Sequence, residues 1–192
     1  MKKKVEFQIT EETKKISPFR EKGTGELHSI VLHGNDFLHL PAPPYEIVDY
    51  NLRRFGSSLR GAKDSAKEIL GTSSMFPVAL GKENEWIWFM TEAMKNEQCT
   101  WFALHHVNKL IPVDKERTKV LLYCGYEEEI HISACSLNNR RNRGHLFQSK
   151  LLQNTYPHPF LYSSPTENFG MVSEGDSVQY EVKKPNPDEK QK

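Results

Sequence analysis

Leu27-His28-Ser29-Ile30-Val31-Leu32-His33-Gly34-Asn35-Asp36-Phe37-Leu38-His39-Leu40 reads as a β-hairpin. Ile30, Val31 and Leu32 lead into His33-Gly34-Asn35-Asp36, and Phe37, Leu38 and Leu40 follow, with Gly-Asn at the tight turn. Pro41-Ala42-Pro43-Pro44 then ends strand pairing, because proline has no amide hydrogen to give to a ladder. Two more hairpins follow downstream. Residues 76–80 and 85–91 flank Gly81-Lys82-Glu83-Asn84, and residues 118–124 and 129–134 flank Gly125-Tyr126-Glu127-Glu128. Trp86-Ile87-Trp88-Phe89-Met90 is apolar at every position, the pattern of a central strand covered on both faces. Residues 100–107 are a further expected strand. Helical spacing appears at Ala62, Ala66, Ile69 and Leu70, with Gly71 as terminator. A second helix is expected from a cap at Ser136 or Asn138 to about Leu152, where Phe147 and Leu151 stand four apart. Consecutive hairpins with one or two helices predict an α+β fold with a largely antiparallel sheet.

Outward from this centre the pattern weakens. Residues 1–26 form an N-terminal extension or first strand, with Val5, Phe7 and Ile9 alternating as a short strand does. Residues 27–156 make the main domain, and the polar, Pro-rich stretch 157–192 reads as a flexible tail. The chain has 192 residues, with 26 basic against 25 acidic, so any nucleic-acid contact needs its positive charge gathered on one face. The apolar runs 86–90 and 120–124 fall far short of the ~20 residues that span a bilayer. Met-Lys-Lys-Lys-Val-Glu-Phe has no apolar stretch behind its basic start, so no secretory signal and no membrane partner are expected. Cys99, Cys124 and Cys135 lack framework spacing and fit a reducing cytoplasm.

Between Asp49 and Asp64 no acid interrupts Arg53-Arg54-Phe55-Gly56-Ser57-Ser58-Leu59-Arg60-Gly61-Ala62-Lys63. Arg53, Arg54, Arg60 and Lys63 supply charge for phosphates, Gly56 and Gly61 permit close backbone approach, and Ser57 and Ser58 can donate to anionic oxygens. The segment reads as an anion-binding loop, most naturally for nucleic acid; the plainer reading is a solvated turn with surface charge. Asn138, Asn139, Arg140, Arg141, Asn142 and Arg143 form a second basic set at the start of the second expected helix, suited to phosphate or base-edge contact, or else an exposed polar helix start. Were the two sets adjacent, a nearly neutral protein would carry one strongly positive face. Signatures of enzymes are absent: there is no P-loop, dinucleotide fingerprint or nucleophile elbow. His105 and His106 would face opposite ways on a strand, and Glu127-Glu128-Glu129 falls in an expected turn as a solvated run. Cys124, His131, Cys135 and His145 are separated by six, three and nine residues and form no zinc knuckle. No metal, cofactor or enzymatic activity is expected.

The run Glu46-Ile47-Val48-Asp49, then Arg54-Phe55-Gly56-Ser57-Ser58, Gly61 and Lys63, resembles the signature segment of the ComK competence transcription factors of Firmicutes. Gln98-Cys99, Trp101, His105, Val107 and Lys109 continue the resemblance, which covers roughly residues 25–155. It implies a cytoplasmic, nucleoid-associated activator of DNA-uptake genes that reads paired A·T-rich boxes of double-stranded DNA, mainly through the minor groove. It further implies a homodimer or a dimer of dimers, controlled by a Clp protease adaptor. On that reading Arg53, Arg54 and Arg60 enter the groove, while Lys63, Ser57 and Ser58 hold phosphates. Arg140, Arg141 and Arg143 clamp a second backbone segment or a neighbouring box, with Asn138 and Asn139 also in contact with DNA, although the Arg/Asn-rich composition after Ser136 departs from the family pattern. Phe55 is expected to pack beneath the segment and Asp49 to pair with an arginine. The alternative is a relative that acts as a protein-interaction module without touching DNA.

Overall fold

The computed structural model describes residues 6–71, 74–81 and 85–155, together with the backbone of 170–174 and 177–181. The chain divides into two compact units, Met1–Leu152 and Gln153–Lys192. In the first unit β1 (Thr13–Arg20), β2 (Leu27–His33) and β3 (Asp36–Leu40) pair as an antiparallel meander. Its second turn is the expected hairpin, made at Gly34 in the left-handed region. Helices α1 (Pro44–Arg54) and α2 (Leu59–Leu70) come next, followed by β4 (Val78–Leu80), β5 (Trp86–Met90) and β6 (Trp101–Ala103). A 3₁₀ turn at Leu104–His106 leads into β7 (Val107–Pro112), β8 (Thr118–Leu122), β9 (Glu127–Ile130) and α3 (Ala134–Thr155). The large sheet runs β3-β2-β1-β6-β5-β4 and the small one β7-β8-β9, every pairing antiparallel. The α+β architecture of antiparallel hairpins holds, with three α-helices among the described residues where one or two were expected. In the second unit β10 (Gly170–Glu174) and β11 (Ser177–Glu181) pair as a hairpin; the rest of the expected flexible tail lies outside the described residues.

Register decides which side chains share a face. Ile16 lies opposite Val31 and Trp101, Trp101 opposite Met90, and Trp88 opposite Val78 and Ala103. Lys15 is paired with Leu32 and Phe102, and Phe102 with Phe89, so this second row points the other way. The α1–α2 pair covers the first face, where Phe55 meets Trp86 edge to face at 6.3 Å. The second face takes the small sheet and α3. There Lys15 and Phe37 both reach Tyr126, and Gly144 of α3 sits over Leu104 and Ile87. Trp88, Trp101, Phe89 and Phe102 are thereby fully buried, each contributing about 1.5–3 kcal/mol from the apolar area removed from water.

Several local expectations are corrected. The strand placed at Val5, Phe7 and Ile9 forms instead at Thr13–Arg20; Phe7 and Ile9 are irregular, and Val5 lies outside the described residues. Asn51 explains that irregular path: fully buried, it accepts from Ile9 N–H at 2.8 Å and donates to the Phe7 and Ile47 carbonyls at 3.0 and 2.9 Å. The expected strand over 100–107 stops at Ala103, and the 3₁₀ turn brings His105 and His106 to one side. Their Nε2 atoms stand 3.3 and 2.7 Å from the Glu11 carbonyl, and burial lowers the His106 pKa, so its neutral ring serves as a tether. Glu127, Glu128 and Glu129 are strand residues rather than a solvated turn. They pair with Lys119, Lys15 and Arg117 at 3.1, 2.6 and 3.4 Å. Helix α3 starts before Ser136, whose amide donates to Ser133 Oγ at 3.3 Å.

Candidate nucleic-acid interface

The stretch from Arg53 to Lys63, expected as a loop, is the end of one helix, a four-residue connector and the first turn of the next. Pro44 at the first turn starts α1, and Ile47, Val48, Asn51 and Leu52 form its buried side. A Schellman closure stops it. Gly56 N–H reaches the Arg53 carbonyl at 3.2 Å and Ser57 N–H the Leu52 carbonyl at 2.9 Å, with Gly56 at φ +78°. Gly56 is thus required by the helix stop. Gly61 is different: it is helical and exposed, and a methyl there would only touch the hydroxyls of Ser57 and Ser58 at 3.4 and 3.6 Å. The fold needs glycine at 56 and has no such need at 61.

The start of α2 is capped from within the protein. Ser58 is its N-cap and accepts from Gly61 N–H at 3.1 Å, while Asp49 Oδ1 accepts from Leu59 N–H at 2.8 Å. A carboxylate therefore already occupies the position an anion takes at a helix N-terminus. The same Asp49 holds Arg53 through Oδ2 at 2.7 Å, the ion pair expected of it. Arg54 lies beside the Tyr50 ring, 5.9 Å from its centroid, and near Gln8 Oε1 at 3.5 Å. Arg60 and Lys63 are exposed, and among the described residues neither has an acidic partner. Phe55 packs inward on Trp86, as expected. Positive charge here is delivered by side chains, with Ser58 engaged as a cap and Ser57 exposed.

Sequence reasoning missed Lys67. Once Ser58 fixes the start of α2, Arg60, Lys63 and Lys67 fall at i, i+3 and i+7 along one exposed side, interspersed with Asp64 and Glu68. The helical spacing was legible; the helix start was not.

The second set sits differently. Asn138, Asn139 and Asn142 are exposed on α3, whereas Arg140, Arg141 and Arg143 are half-buried, and two of the three are bound to backbone carbonyls. Arg141 donates to the Val107 carbonyl at 2.8 Å and Arg143 to the Ser74 carbonyl at 3.4 Å. Arg140 lies in the field of Glu92 and Cys99, and burial lowers its guanidinium pKa. The first set belongs to the α1–α2 pair and the second to α3, which also reaches the end of α2 where Lys150 Nζ donates to the Ile69 carbonyl at 2.8 Å.

Among the described residues no helix is long and apolar enough to cross a membrane. A family model described as ComK protein matches residues 4–156. The competence transcription factor of Bacillus subtilis (strain 168) is 27% identical over 125 residues, which cover 65% of this chain and 65% of that relative. The match thus spans just under two thirds of the relative's length. No solved structure matches the chain.

Proposed function

The chain belongs to the ComK family, and on that premise we propose that it is a sequence-specific DNA-binding transcriptional activator of competence genes. In this reading it binds A·T-rich duplex mainly through the minor groove, with the α1–α2 junction as the contact surface. The observation that supports it is the junction itself: Arg53, Arg54, Arg60 and Lys63 are exposed together, beside a Gly61 that the fold leaves free. A narrow A-tract groove concentrates negative potential, and a guanidinium from the end of α1 (Arg53, Arg54) or the first turn of α2 (Arg60) is thin enough to enter it. Hydroxyls and lysines then hold the flanking phosphates. Paired boxes on one duplex call for a two-fold assembly, so the active species is a dimer or a dimer of dimers. Control by a Clp protease adaptor is part of the same proposal.

Titration against A·T-rich and G·C-rich duplexes at two salt concentrations tests it. The A·T-rich site binds more tightly, and affinity falls with salt at a log–log slope of about −0.9 per phosphate neutralised. Arg60→Gln and Lys63→Gln each make that slope shallower by about one contact. Gly61→Ala weakens binding while leaving stability unchanged or raised by up to about 1 kcal/mol, as expected of alanine in a helix. Equal, weak affinity for both duplexes overturns the proposal and favours a protein-interaction module.

The helical nature of the segment supports a second reading, in which α2 enters the major groove. A helix with its side chains is about 10–12 Å across and suits a groove about 12 Å wide, not one about 6 Å wide. Arg60, Lys63 and Lys67 would then face the DNA along one line. A ligand that fills the minor groove displaces the protein in the first reading and leaves it bound in the second.

A further inference from the structure

Three adjacent strands bring a set of metal-ligating side chains together at the end of the large sheet, away from the α1–α2 junction in sequence. Glu21 directly follows β1, His28 is the second residue of β2, and His39 the fourth of β3. Their positions are fixed by the ladder, with His28 opposite Phe19 and His39 opposite Ile30. The turn from β1 to β2 is closed by its own bonds: Glu21 N–H to the Glu26 carbonyl at 3.0 Å, and Gly25 N–H to the Glu21 carbonyl at 2.8 Å. Arg20, next to Glu21, gives its guanidinium to the Gly25 carbonyl at 2.8 Å and to Glu97. It is thereby turned to other partners.

Within this frame His28 Nδ1 lies 3.0 Å from His39 Nε2 and 3.8 Å from Glu21 Oε2. One donor atom from each of the three residues lies within 4.8 Å of the other two. In a tetrahedral site with metal–nitrogen bonds of about 2.0–2.1 Å, ligand atoms stand roughly 3.3 Å apart, so a small rotation of the Glu21 carboxylate completes the triangle. Two more features support a ligand set over a chance cluster. The other nitrogen of His28, Nε2, faces Glu26 Oε2 at 3.5 Å, the outer carboxylate that orients a metal-bound imidazole. The His28 side chain is only 9% exposed, and Phe19 meets the His39 ring edge to face at 5.2 Å, so both rings are held. His39 is on the surface, which leaves the remaining coordination position open to solvent or to a donor from a second molecule. Cys124, His131, Cys135 and His145, weighed from the sequence, do not converge in this way among the described residues.

We propose that Glu21, His28 and His39 form a binding site for a divalent transition-metal ion of the zinc type, with Glu26 as the outer partner of His28. The two neutral imidazoles give lone pairs, and the carboxylates of Glu21 and Glu26 offset the charge of the cation. Bound metal would staple β1, β2 and β3 at their shared end.

The test uses the full chain carrying Cys124→Ser and Cys135→Ser, which removes the exposed thiols that could take zinc independently. Zn²⁺ is titrated by calorimetry and Co²⁺ by visible absorption. The proposal expects one ion per chain and the d–d bands of a four-coordinate nitrogen–oxygen site. His39→Ala and Glu21→Gln each abolish the bands and the saturable heat, and Glu26→Gln weakens affinity by about ten- to a hundredfold. His39 is exposed, so far-UV circular dichroism of His39→Ala should match the parent. Absence of saturable binding overturns the proposal, leaving the His28–His39 contact as a hydrogen bond alone. Binding that survives either His39→Ala or Glu21→Gln unchanged overturns it equally, and none of these outcomes depends on DNA binding.

Discussion

Asn51 shows how much one buried polar side chain can settle. Its amide satisfies three backbone groups, two of them on the irregular segment that precedes β1. Asn51→Leu keeps the branched shape, with more bulk, but leaves the Ile9 N–H and the Phe7 carbonyl without their partner. The expected loss is about 1–3 kcal/mol, read as a lower denaturant midpoint. A midpoint equal to the parent's would mean that the segment finds other partners. Cys99 offers a second reading at this scale. Burial pushes its thiol up to about 11, while Cys124 and Cys135 are exposed. At pH 8 a thiol-directed alkylating reagent should therefore modify Cys124 and Cys135 in the native protein. Cys99 should be modified only in denaturant, and mass spectrometry of the peptides decides it.

At the scale of elements, α3 meets the large sheet through Gly144, where an added Cβ would come 3.4 Å from both Leu104 methyls and 3.7 Å from Ile87. That is room for a methyl and for little else. Gly144→Ala should leave stability unchanged or raise it by up to about 1 kcal/mol through helix propensity. Gly144→Val should cost about 1–3 kcal/mol by overpacking, so the order of the two melting temperatures is the measurement. Elements whose signals are local were legible in the sequence. The 27–40 hairpin carried its turn at Gly34-Asn35, and α2 carried its stop at Gly71, which adopts φ +70°. Elements defined by partners were not. Strand β1 buries Thr13, Lys14 and Lys15 and contains Pro18, a composition that argues against a central strand. It becomes one because β6 pairs only at Lys15 and Ile16, so Pro18 lies beyond β6 with a neighbour on one side alone. Helix α1 was hidden because Pro44 reads as a breaker, yet at the first turn its fixed φ begins the helix. The candidate site divides in the same way. The cations of 53–63 were legible from composition, but their division between two helices depended on Asp49 capping a helix ten residues on. The commitment of Arg141 and Arg143 to backbone carbonyls, and the partial burial of Arg140, depended on contacts that no local pattern encodes.

Across the first unit, the two sheets are joined by Lys15, 2% exposed, which donates to Tyr126 Oη at 2.9 Å and pairs with Glu128 at 2.6 Å. Removing one partner strands the other in a partly dry interface. Lys15→Met alone should cost about 3 kcal/mol, and the double variant Lys15→Met, Glu128→Leu should recover much of it. A double-mutant cycle on urea midpoints measures the coupling, and strict additivity would mean the pair is energetically idle. The topology around that lysine also bears on synthesis. β1 is made well before β6, yet its inner edge pairs only with Trp101 and Phe102 of that strand. Until those residues leave the ribosome, a nascent chain displays a meander whose innermost strand has one whole edge open to other chains. Lys14 and Lys15 sit on that strand, and charge on an edge discourages intermolecular pairing. The lysines that the finished protein buries thus put charge on that edge while it is open, and the sheet cannot close until β6 has been made.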